Sequence, residues 1–506
     1  LLQKCKLQEP CSVSPPKEVP AGALPAVKKN PLCALHEKLI SKKKTIFFKI
    51  LVTLKHCYLL LCFCLGFFFF VLTIADAWES ISLGSYLLSQ IQSSTFIEDH
   101  YVDPKGISLH FPEKKRNLVY IYMESTELTF MDKKHGGAFP ENLLPEMTEL
   151  SEEGEDFSGK GEKRNGGISL PGATWTMGAI FGQSTGLPLK ISIEQNSMDS
   201  QKSFFPSVVS LQDILKEEGY TQKFLLGSVG YFGGRELFMK DHGDVKVEDF
   251  SYWKRKNKFP RDYWVNWGFE DEKLYTYAKE ELLSLAKEDK PFNLTLLTVD
   301  THFPDGYVCR LCKNTYPDNQ YANVFNCASR QIADFVNWMK EQDFYENTTI
   351  VISGDHPTMD RDFCDNVPKS YQRKVYTVFL NSAVARKEQK EREYSTFDYF
   401  PTTLAAMGVE IPGERLGLGT NLFSDESTLT EQFGKKEEKK EPGLLTKEEI
   451  EELHDWLLSL EKDVSDGNGH LSLYVTEDKV FGLGKRGRMS QEEIDELLKY
   501  MLEKEY

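Results

Sequence analysis

Residues that could bind a metal ion and attack a phosphorus atom follow apolar runs at three points in this sequence. Asp355 and His356 come directly after one predicted strand, and Glu124 comes directly after another. Thr174 and Thr176 lie in GATWTMGAIFGQ, where a loop leads into a predicted helix. A hydroxyl group becomes a good nucleophile near neutral pH only when a base or a metal ion favours its alkoxide. An isolated Asp-His pair is common in loops, but the combination predicts an oxygen-rich metal site with a threonine nucleophile.

The middle of the sequence alternates between predicted strands and predicted helices, which is typical of an open α/β sheet with helices on both faces. In such sheets the chemistry lies beyond the carboxyl ends of the strands, where the Asp-His pair is found. The predicted strands are Leu118–Met123, Gln222–Leu226, Leu294–Val299, Thr349–Ser353 and Lys374–Leu380. The predicted helices are Ser207–Glu218, Asp271–Glu288, Gln320–Gln342 and Asp398–Met407.

Two further strand ends carry residues suited to a phosphate. His302, in VDTHFPDG, could bind a phosphate oxygen, protonate a leaving alcohol or serve only as a hydrogen-bonding loop residue. Arg235 follows Tyr231 and Phe232 in GSVGYFGGRELF, and the planar fork of an arginine matches phosphate oxygens. A surface salt bridge is the alternative prediction for this arginine.

An uncharged run of nineteen residues, Cys57–Ala75, predicts a membrane anchor. At the helical rise it spans roughly 28 Å, about the thickness of a bilayer's hydrocarbon core. It shows no polar face, which argues against a helix on a globular surface. A cleaved signal peptide is the alternative, because Ala75-Asp76-Ala77 is similar to a cleavage site. The length of the run and its distance from the first residue favour a retained anchor.

Lysine placement predicts the orientation of this anchor. Residues 1–55 hold eleven Lys, no Arg and three Glu, a net charge of +8. The whole chain has a net charge of −16, so the remainder carries −24. Positive flanks stay in the cytoplasm, which places the acidic remainder outside the membrane. An acidic exported domain also argues against nucleic acid as a partner.

Four of the ten cysteines fall in the exported part. An even number is compatible with two disulfides in an oxidising compartment. The spacing of Cys309 and Cys312 could indicate zinc, but no second CxxC or His pair completes a tetrahedral set. A structural disulfide, or free thiols, is therefore the prediction for this pair.

Five segments describe the predicted domain organisation. Residues 1–55 form a basic cytoplasmic tail, 56–76 the transmembrane helix and 77–115 a connector with an amphipathic helix near 81–91. Residues 116–425 form the catalytic domain, and 426–506 form a charged linker and helical region. Capping boxes at Thr446 and Ser490 begin two predicted helices there, which could be a partner-binding module or a cap on the main domain.

These motifs resemble the alkaline phosphatase (sulfatase-like) superfamily, and within it the membrane-anchored branch of lipoteichoic acid synthases and phosphoglycerol transferases. The resemblance covers roughly residues 116–423 and implies an alkaline-phosphatase-like open α/β sheet. The TWT triplet is similar to the Thr-x-Thr of phosphoethanolamine transferases, which favours Thr176 as the nucleophile and leaves Thr174 as a helix cap. The segments that carry the resemblance are Glu124-Ser125, Thr298–Gly306, Asp355-His356 and Phe397–Val409.

The resemblance implies a single divalent ion, with Mn²⁺ favoured and Mg²⁺ or Zn²⁺ as alternatives. It implies phosphatidylglycerol as donor, a cell-envelope glycan or teichoic acid as acceptor, and a place in lipoteichoic acid biosynthesis at a bacterial cell membrane. The implied metal ligands are Glu124, Thr176, Asp355 and His356, and the implied substrate contacts are Tyr231, Phe232, Arg235 and His302. A histidine that the family carries upstream of the arginine is missing here, so substrate contacts differ in detail.

Three alternatives remain open at the level of sequence. A phosphoethanolamine transferase usually brackets its nucleophile with a disulfide, and no Cys lies between residues 65 and 308. A sulfatase needs a C/S-x-P-x-R motif, and none flanks Thr176. A non-enzymatic anchored envelope protein would tolerate changes at Glu124, Thr176, Asp355 and His356 without consequence.

Overall fold

The computed structural model describes residues 31–80, 96–191, 196–386 and 390–433. The chain divides into two compact units, residues 1–76 and 77–506. The predicted helices near 81–91 and beyond residue 433 lie outside the described residues.

A single helix of 50 residues, α1 (Pro31–Ser80), dominates the first unit. It begins with proline, whose fixed φ suits the first helical position. The stretch Ser41–Phe70 contains an apolar window of 18 residues and has no buried residues, so by length and composition it could cross a membrane. The helix starts well before the predicted anchor. Residues 31–55 of the predicted basic tail are therefore helical, in keeping with the high helix propensity of Lys and Leu.

The second unit is built on a seven-stranded sheet with the order β2-β7-β6-β1-β5-β3-β4. Its five neighbouring strands from β6 to β4 are parallel, whereas β7 runs antiparallel to β6 and β2 runs antiparallel to β7. The strands are β1 (Asn117–Met123), β2 (Gly166–Gly167), β3 (Thr221–Leu226), β4 (Lys246–Glu248), β5 (Phe292–Leu297), β6 (Thr348–Gly354) and β7 (Val375–Leu380). A separate hairpin is formed by β8 (Arg415–Leu416) and β9 (Gly419–Thr420).

Helices cover both faces of this sheet. Side chains alternate along β1, so Tyr120 and Tyr122 enter one hydrophobic cluster while Val119 and Ile121 enter the other. Every residue of β1, β5 and β6 is buried, which explains why these strands are nearly continuous apolar runs. The predicted open α/β sheet with flanking helices is confirmed.

The helices of the second unit have the following bounds: α2 (Phe96–His100), α3 (Pro145–Glu153), α4 (Thr176–Thr185), α5 (Leu211–Glu217), α6 (Arg235–Asp241), α7 (Phe250–Arg255), α8 (Asp271–Leu285), α9 (Gln320–Lys340), α10 (Tyr399–Ala406) and α11 (Leu429–Phe433). Buried residues of α4, α5 and α10 contribute to the cluster that contains Tyr120. Buried residues of α3, α8 and α9 contribute to the cluster that contains Val119.

The five predicted strands and four predicted helices are all present, with ends that shift by a few residues. The edge strands β2 and β4 were not predicted, because two glycines and a Lys-Val-Glu triplet give no apolar pattern. The short helices α6 and α7 were also not predicted, since each is too brief to show helical periodicity.

Candidate active site

The ends of β1 and β6 bring two carboxylates to one point. Met123 and Gly354 are partners at the end of the parallel ladder, so Glu124 and Asp355 leave the sheet side by side. The Asp355 amide donates to the Met123 carbonyl at 3.1 Å, which continues the pairing by one residue. A Cβ on Gly354 would collide with the carbonyl oxygen of Thr126, so glycine permits this close approach.

Glu124, Asp355 and His356 form a buried cluster whose ligand atoms all lie within 4.8 Å of one another. His356 Nε2 lies 3.6 Å from Glu124 Oε1 and 3.5 Å from Asp355 Oδ2. His356 Nδ1 donates to the Pro357 carbonyl at 2.9 Å, which leaves Nε2 for a ligand when the ring is neutral. Two carboxylates and one imidazole suit a hard or borderline divalent cation.

Hydrogen bonding within the cluster leaves a place for such a cation. Asp355 Oδ1 accepts from the amides of Ser125 and His356 at 2.7 and 2.8 Å. Asp355 Oδ2 is buried and has no hydrogen-bond partner among the described residues. Buried polar atoms normally have a partner, so this oxygen is an unused ligand position. The residues present therefore fit a divalent metal ion.

The charges of the cluster agree with this fit. Burial, reinforced by the neighbouring Glu124 carboxylate, raises the pKa of Asp355 to about 7. Burial opposes protonation of His356, but the carboxylates of Asp355 and Glu124 outweigh it and hold the pKa of the imidazole above its ordinary value. A bound cation would neutralise this concentration of negative charge.

Thr176 is the first residue of α4, and its side chain faces the cluster. Thr176 Oγ1 donates to Glu124 Oε2 at 3.4 Å. Trp175 occupies the N-cap position and makes no side-chain cap, so the sequence-based prediction of Thr174 as the cap is wrong. Thr174 is exposed and does not line the cavity described next. The amide groups of the first turn of α4 are suited to an anionic phosphate.

A cavity of about 250 Å³ opens in front of the cluster. It is lined by Glu124, Trp175, Thr176, Met177, Asn196, Ser228, Phe232, Arg235, Trp267, Leu297, Thr298, Val299, His302, Phe303, His356 and Met359. Of the predicted site residues, the cavity includes all but Asp355, which is fully buried, and Tyr231, which is 61% exposed. One cavity thus brings together the Thr176 hydroxyl, the cluster of Glu124 and His356, and two basic side chains.

Arg235 lies in the cavity wall and not in a surface salt bridge. Its guanidinium donates to the carbonyls of Phe232 and Val229, each at 3.0 Å, and stacks over the Phe232 ring at 5.4 Å. Burial lowers the pKa of Arg235 to about 10, although Glu124 and nearby aspartates favour its charged form. It forms no ion pair with any described residue. Its position fits a phosphate contact.

His302 faces the cavity from the loop after β5. His302 Nδ1 donates to the Phe303 carbonyl at 2.7 Å, and the ring lies 4.6 Å from that of Trp267. Trp267 also forms part of the cavity wall. Its place beside His302 was missed, because the two residues are far apart in the chain.

The structure also brings together three cysteines that the spacing alone did not join. Cys309 Sγ lies 3.7 Å from both Cys312 Sγ and Cys327 Sγ. These three and Cys364 are free thiols in the structure. The third thiol is that of Cys327 on α9. The spacing of cysteines in the sequence does not show that this residue lies close to Cys309 and Cys312.

The chain belongs to the sulfatase family, whose family model matches residues 116–409, more than half of its length. It is 34% identical over 327 residues to phosphoglycerol transferase I of Salmonella choleraesuis and 33% identical to the Salmonella typhi protein of the same name. Each match covers 64% of this chain but only 41% of the relative, so the chain spans about two fifths of the length of these curated relatives.

Among solved structures, the lipoteichoic acid synthase LtaP of Listeria monocytogenes superposes with a TM-score of 0.52 at 16% identity. The superposition covers 75% of this chain and 99% of that one, which shows a shared fold. The predicted resemblance to the lipoteichoic acid synthase and phosphoglycerol transferase branch of the alkaline phosphatase superfamily is confirmed.

Proposed function

We propose that this chain is a membrane-anchored, metal-dependent phosphoglycerol transferase that works through a covalent threonine intermediate. The observation that carries the proposal is the Thr176 hydroxyl at a helix N-terminus, hydrogen-bonded to Glu124 inside the buried Glu124, Asp355 and His356 cluster. Relatives named phosphoglycerol transferase I support the transferred group, and the sulfatase family model matches residues 116–409, which include every residue that lines the cavity.

In the first half-reaction, Thr176 Oγ attacks the phosphorus of phosphatidylglycerol and gives up its proton to the Glu124 carboxylate, which accepts its hydrogen bond. A bond forms between Thr176 Oγ and phosphorus, and the bond from phosphorus to the diacylglycerol oxygen breaks. The released alkoxide takes a proton to become diacylglycerol, and His302 stands in the cavity wall where it could supply one. The product is a glycerophosphoryl-threonine. Arg235 would hold the phosphoryl oxygens through both half-reactions.

In the second half-reaction, a hydroxyl of a cell-envelope glycan or teichoic acid attacks the same phosphorus. The bond to Thr176 Oγ breaks, and the threonine regains the proton that the acceptor loses. A divalent ion held by Glu124, Thr176, Asp355 and His356 would stabilise the alkoxide and the developing charge on the phosphoryl oxygens. We propose Mn²⁺, on the chemistry of the oxygen-rich ligand set.

The predicted topology belongs to the same proposal. Residues 1–55 would lie in the cytoplasm of a bacterial cell, 56–76 in the membrane, and 77–115 would connect to an extracytoplasmic catalytic domain at 116–425. This arrangement would keep the cavity near a lipid donor. Residues 426–506, the linker and helical region, would follow the catalytic domain.

The direct test measures diacylglycerol release by the full chain in proteoliposomes that contain both phosphatidylglycerol and phosphatidylethanolamine, with Mn²⁺. We expect diacylglycerol bearing the acyl chains of phosphatidylglycerol, and none from Thr176→Ala. Release from phosphatidylethanolamine instead would make the chain a phosphoethanolamine transferase. Equal release by the parent and Thr176→Ala would contradict enzymatic use of the site.

A further inference from the structure

The segment 254–267, KRKNKFPRDYWVNW, has a charge opposite to that of the chain around it. It holds five basic residues and one acidic residue, whereas the whole chain carries −16. Arg255, Lys256 and Arg261 are exposed and form no ion pair with any residue that the structure describes. Their charges are therefore available to a partner from outside the chain.

The same segment exposes two tryptophan rings beside the cavity. Trp264 is 53% exposed and Trp267 is 38% exposed. Trp264 Nε1 donates to the Asn266 carbonyl at 2.8 Å and its ring meets Phe250 edge-on at 4.8 Å, which holds the ring in its exposed position. Large aromatic rings that stay partly in water without a partner indicate an interaction surface.

This surface continues into the cavity wall. The Trp267 ring lies 4.6 Å from the His302 ring and 6.0 Å from the Phe232 ring. Phe232 and Met359 also line the cavity and are 40% and 44% exposed. The mouth of the cavity is thus apolar, and the exposed cations lie along the chain just before its tryptophans.

We propose that segment 254–267 docks on an anionic phospholipid surface and presents the cavity to lipid headgroups. Tryptophan favours the membrane–water interface, and exposed Lys and Arg are attracted to anionic headgroups. A soluble polyanion would satisfy the basic residues, but it would leave the apolar mouth formed by Phe232 and Met359 without a partner. A helix able to cross a membrane in the same chain favours a lipid surface further.

The proposal deepens the proposed function, since it concerns how a lipid donor reaches the site, but docking can be measured without turnover. The full chain carrying Thr176→Ala is reconstituted into vesicles of phosphatidylcholine with brominated phosphatidylglycerol, whose bromines quench nearby tryptophans. The fluorescence quenching of Trp264 is obtained as the difference in quenched fluorescence between this protein and the same protein carrying Trp264→Phe. We expect Trp264 to be quenched, and to be quenched less when the only brominated lipid is phosphatidylcholine and no anionic lipid is present.

A variant that removes three charges and a matched control show whether the basic residues of the segment are responsible for docking. Arg255→Gln/Lys256→Gln/Arg261→Gln should weaken docking on the order of a hundredfold, at roughly fivefold per charge, and abolish quenching of Trp264. Lys114→Gln/Lys287→Gln/Lys290→Gln removes three exposed charges that precede β1 and β5, at the opposite end of the strands from the cavity. This control should leave the quenching unchanged.

Two results would overturn the proposal. One is an absence of Trp264 quenching in the parent. The other is equal quenching in the two triple variants, and a loss of binding to soluble polyglycerol phosphate by the first of them would then assign the segment to an anionic acceptor. Neither result depends on whether the parent releases diacylglycerol, so failure of docking and failure of the proposed function are distinguishable.

Discussion

Asp355 is the residue whose surroundings argue most directly for a bound cation. One of its oxygens accepts two amide hydrogen bonds, whereas the other is buried with none among the described residues. Removing one ligand from a site of this kind should weaken metal binding severely. The same change removes one of two neighbouring buried carboxylates, so it should also relieve their repulsion in the metal-free protein. Metal affinity and metal-free stability should therefore change in opposite directions.

We predict that Asp355→Asn weakens Mn²⁺ binding on the order of a hundredfold or more, and raises the melting temperature of the metal-free protein. Isothermal titration calorimetry and thermal unfolding in EDTA measure the two effects. Asp362→Asn, an exposed carboxylate outside the cavity, is the matched control and should change neither. Retention of parental Mn²⁺ affinity by Asp355→Asn would exclude the proposed ligand set.

Site residues were predictable from the sequence where they directly follow a strand with a clear apolar pattern. The positions of Glu124, Asp355 and His356 follow from this rule, because parallel strands end at one edge of the sheet. The same rule could not separate Tyr231 from Phe232. A tight turn with left-handed glycines at 233 and 234 follows them, and this turn places Phe232 in the wall and leaves Tyr231 exposed.

At the scale of elements, α9 holds the loop that carries His302. The Tyr321 hydroxyl on α9 donates to the Thr301 carbonyl at 2.7 Å, and Thr301 Oγ1 donates to the Glu124 carbonyl at 2.5 Å. The loop after β5 is thereby tied both to a helix and to the end of β1. Loss of the Tyr321 hydroxyl leaves a buried carbonyl without this partner.

We predict that Tyr321→Phe lowers the free energy of unfolding by about 1–3 kcal/mol and raises KM for phosphatidylglycerol more than it lowers kcat. Thermal unfolding and steady-state diacylglycerol release measure these quantities. Tyr275→Phe is the matched control, because among the described residues the Tyr275 hydroxyl hydrogen-bonds to the Met123 sulfur alone, at 3.6 Å. Equal effects of the two variants would show that the hydroxyl of Tyr321 does not position the loop.

The interior strands were predictable because burial on both faces makes them continuous apolar runs. The edge strands β2 and β4 were not, since pairing at an edge depends on a neighbour that is distant in sequence. The cluster of Cys309, Cys312 and Cys327 was missed for the same reason. The third thiol, that of Cys327, lies on α9, and it comes close to Cys309 only when this helix packs in the folded protein.

At the scale of the whole molecule, the charge asymmetry of the sequence predicts how the chain sits in a membrane. The flank of +8 before the apolar run opposes a remainder of −24. The apolar part of α1 is long enough to span a bilayer, but composition alone sets its predicted direction. Orientation is therefore a separate prediction from the fold.

We predict that trypsin added to intact spheroplasts digests the catalytic domain and leaves a tag on residue 1 protected. The lysines at positions 42–55 would be cleaved only after detergent opens the membrane. Immunoblots for the tag and for the catalytic domain show which side of the membrane protects each from trypsin. A tag that is lost while the domain stays intact would reverse the proposed orientation.

The central claim is that Thr176 carries the transferred group, and intact mass spectrometry tests it most directly. The purified full chain is incubated with phosphatidylglycerol and Mn²⁺ and then quenched in acid. We predict a glycerophosphate adduct on the parent and on Thr174→Ala, whose side chain is exposed outside the cavity, and none on Thr176→Ala. An adduct that persists on Thr176→Ala would contradict the claim and move the nucleophile elsewhere.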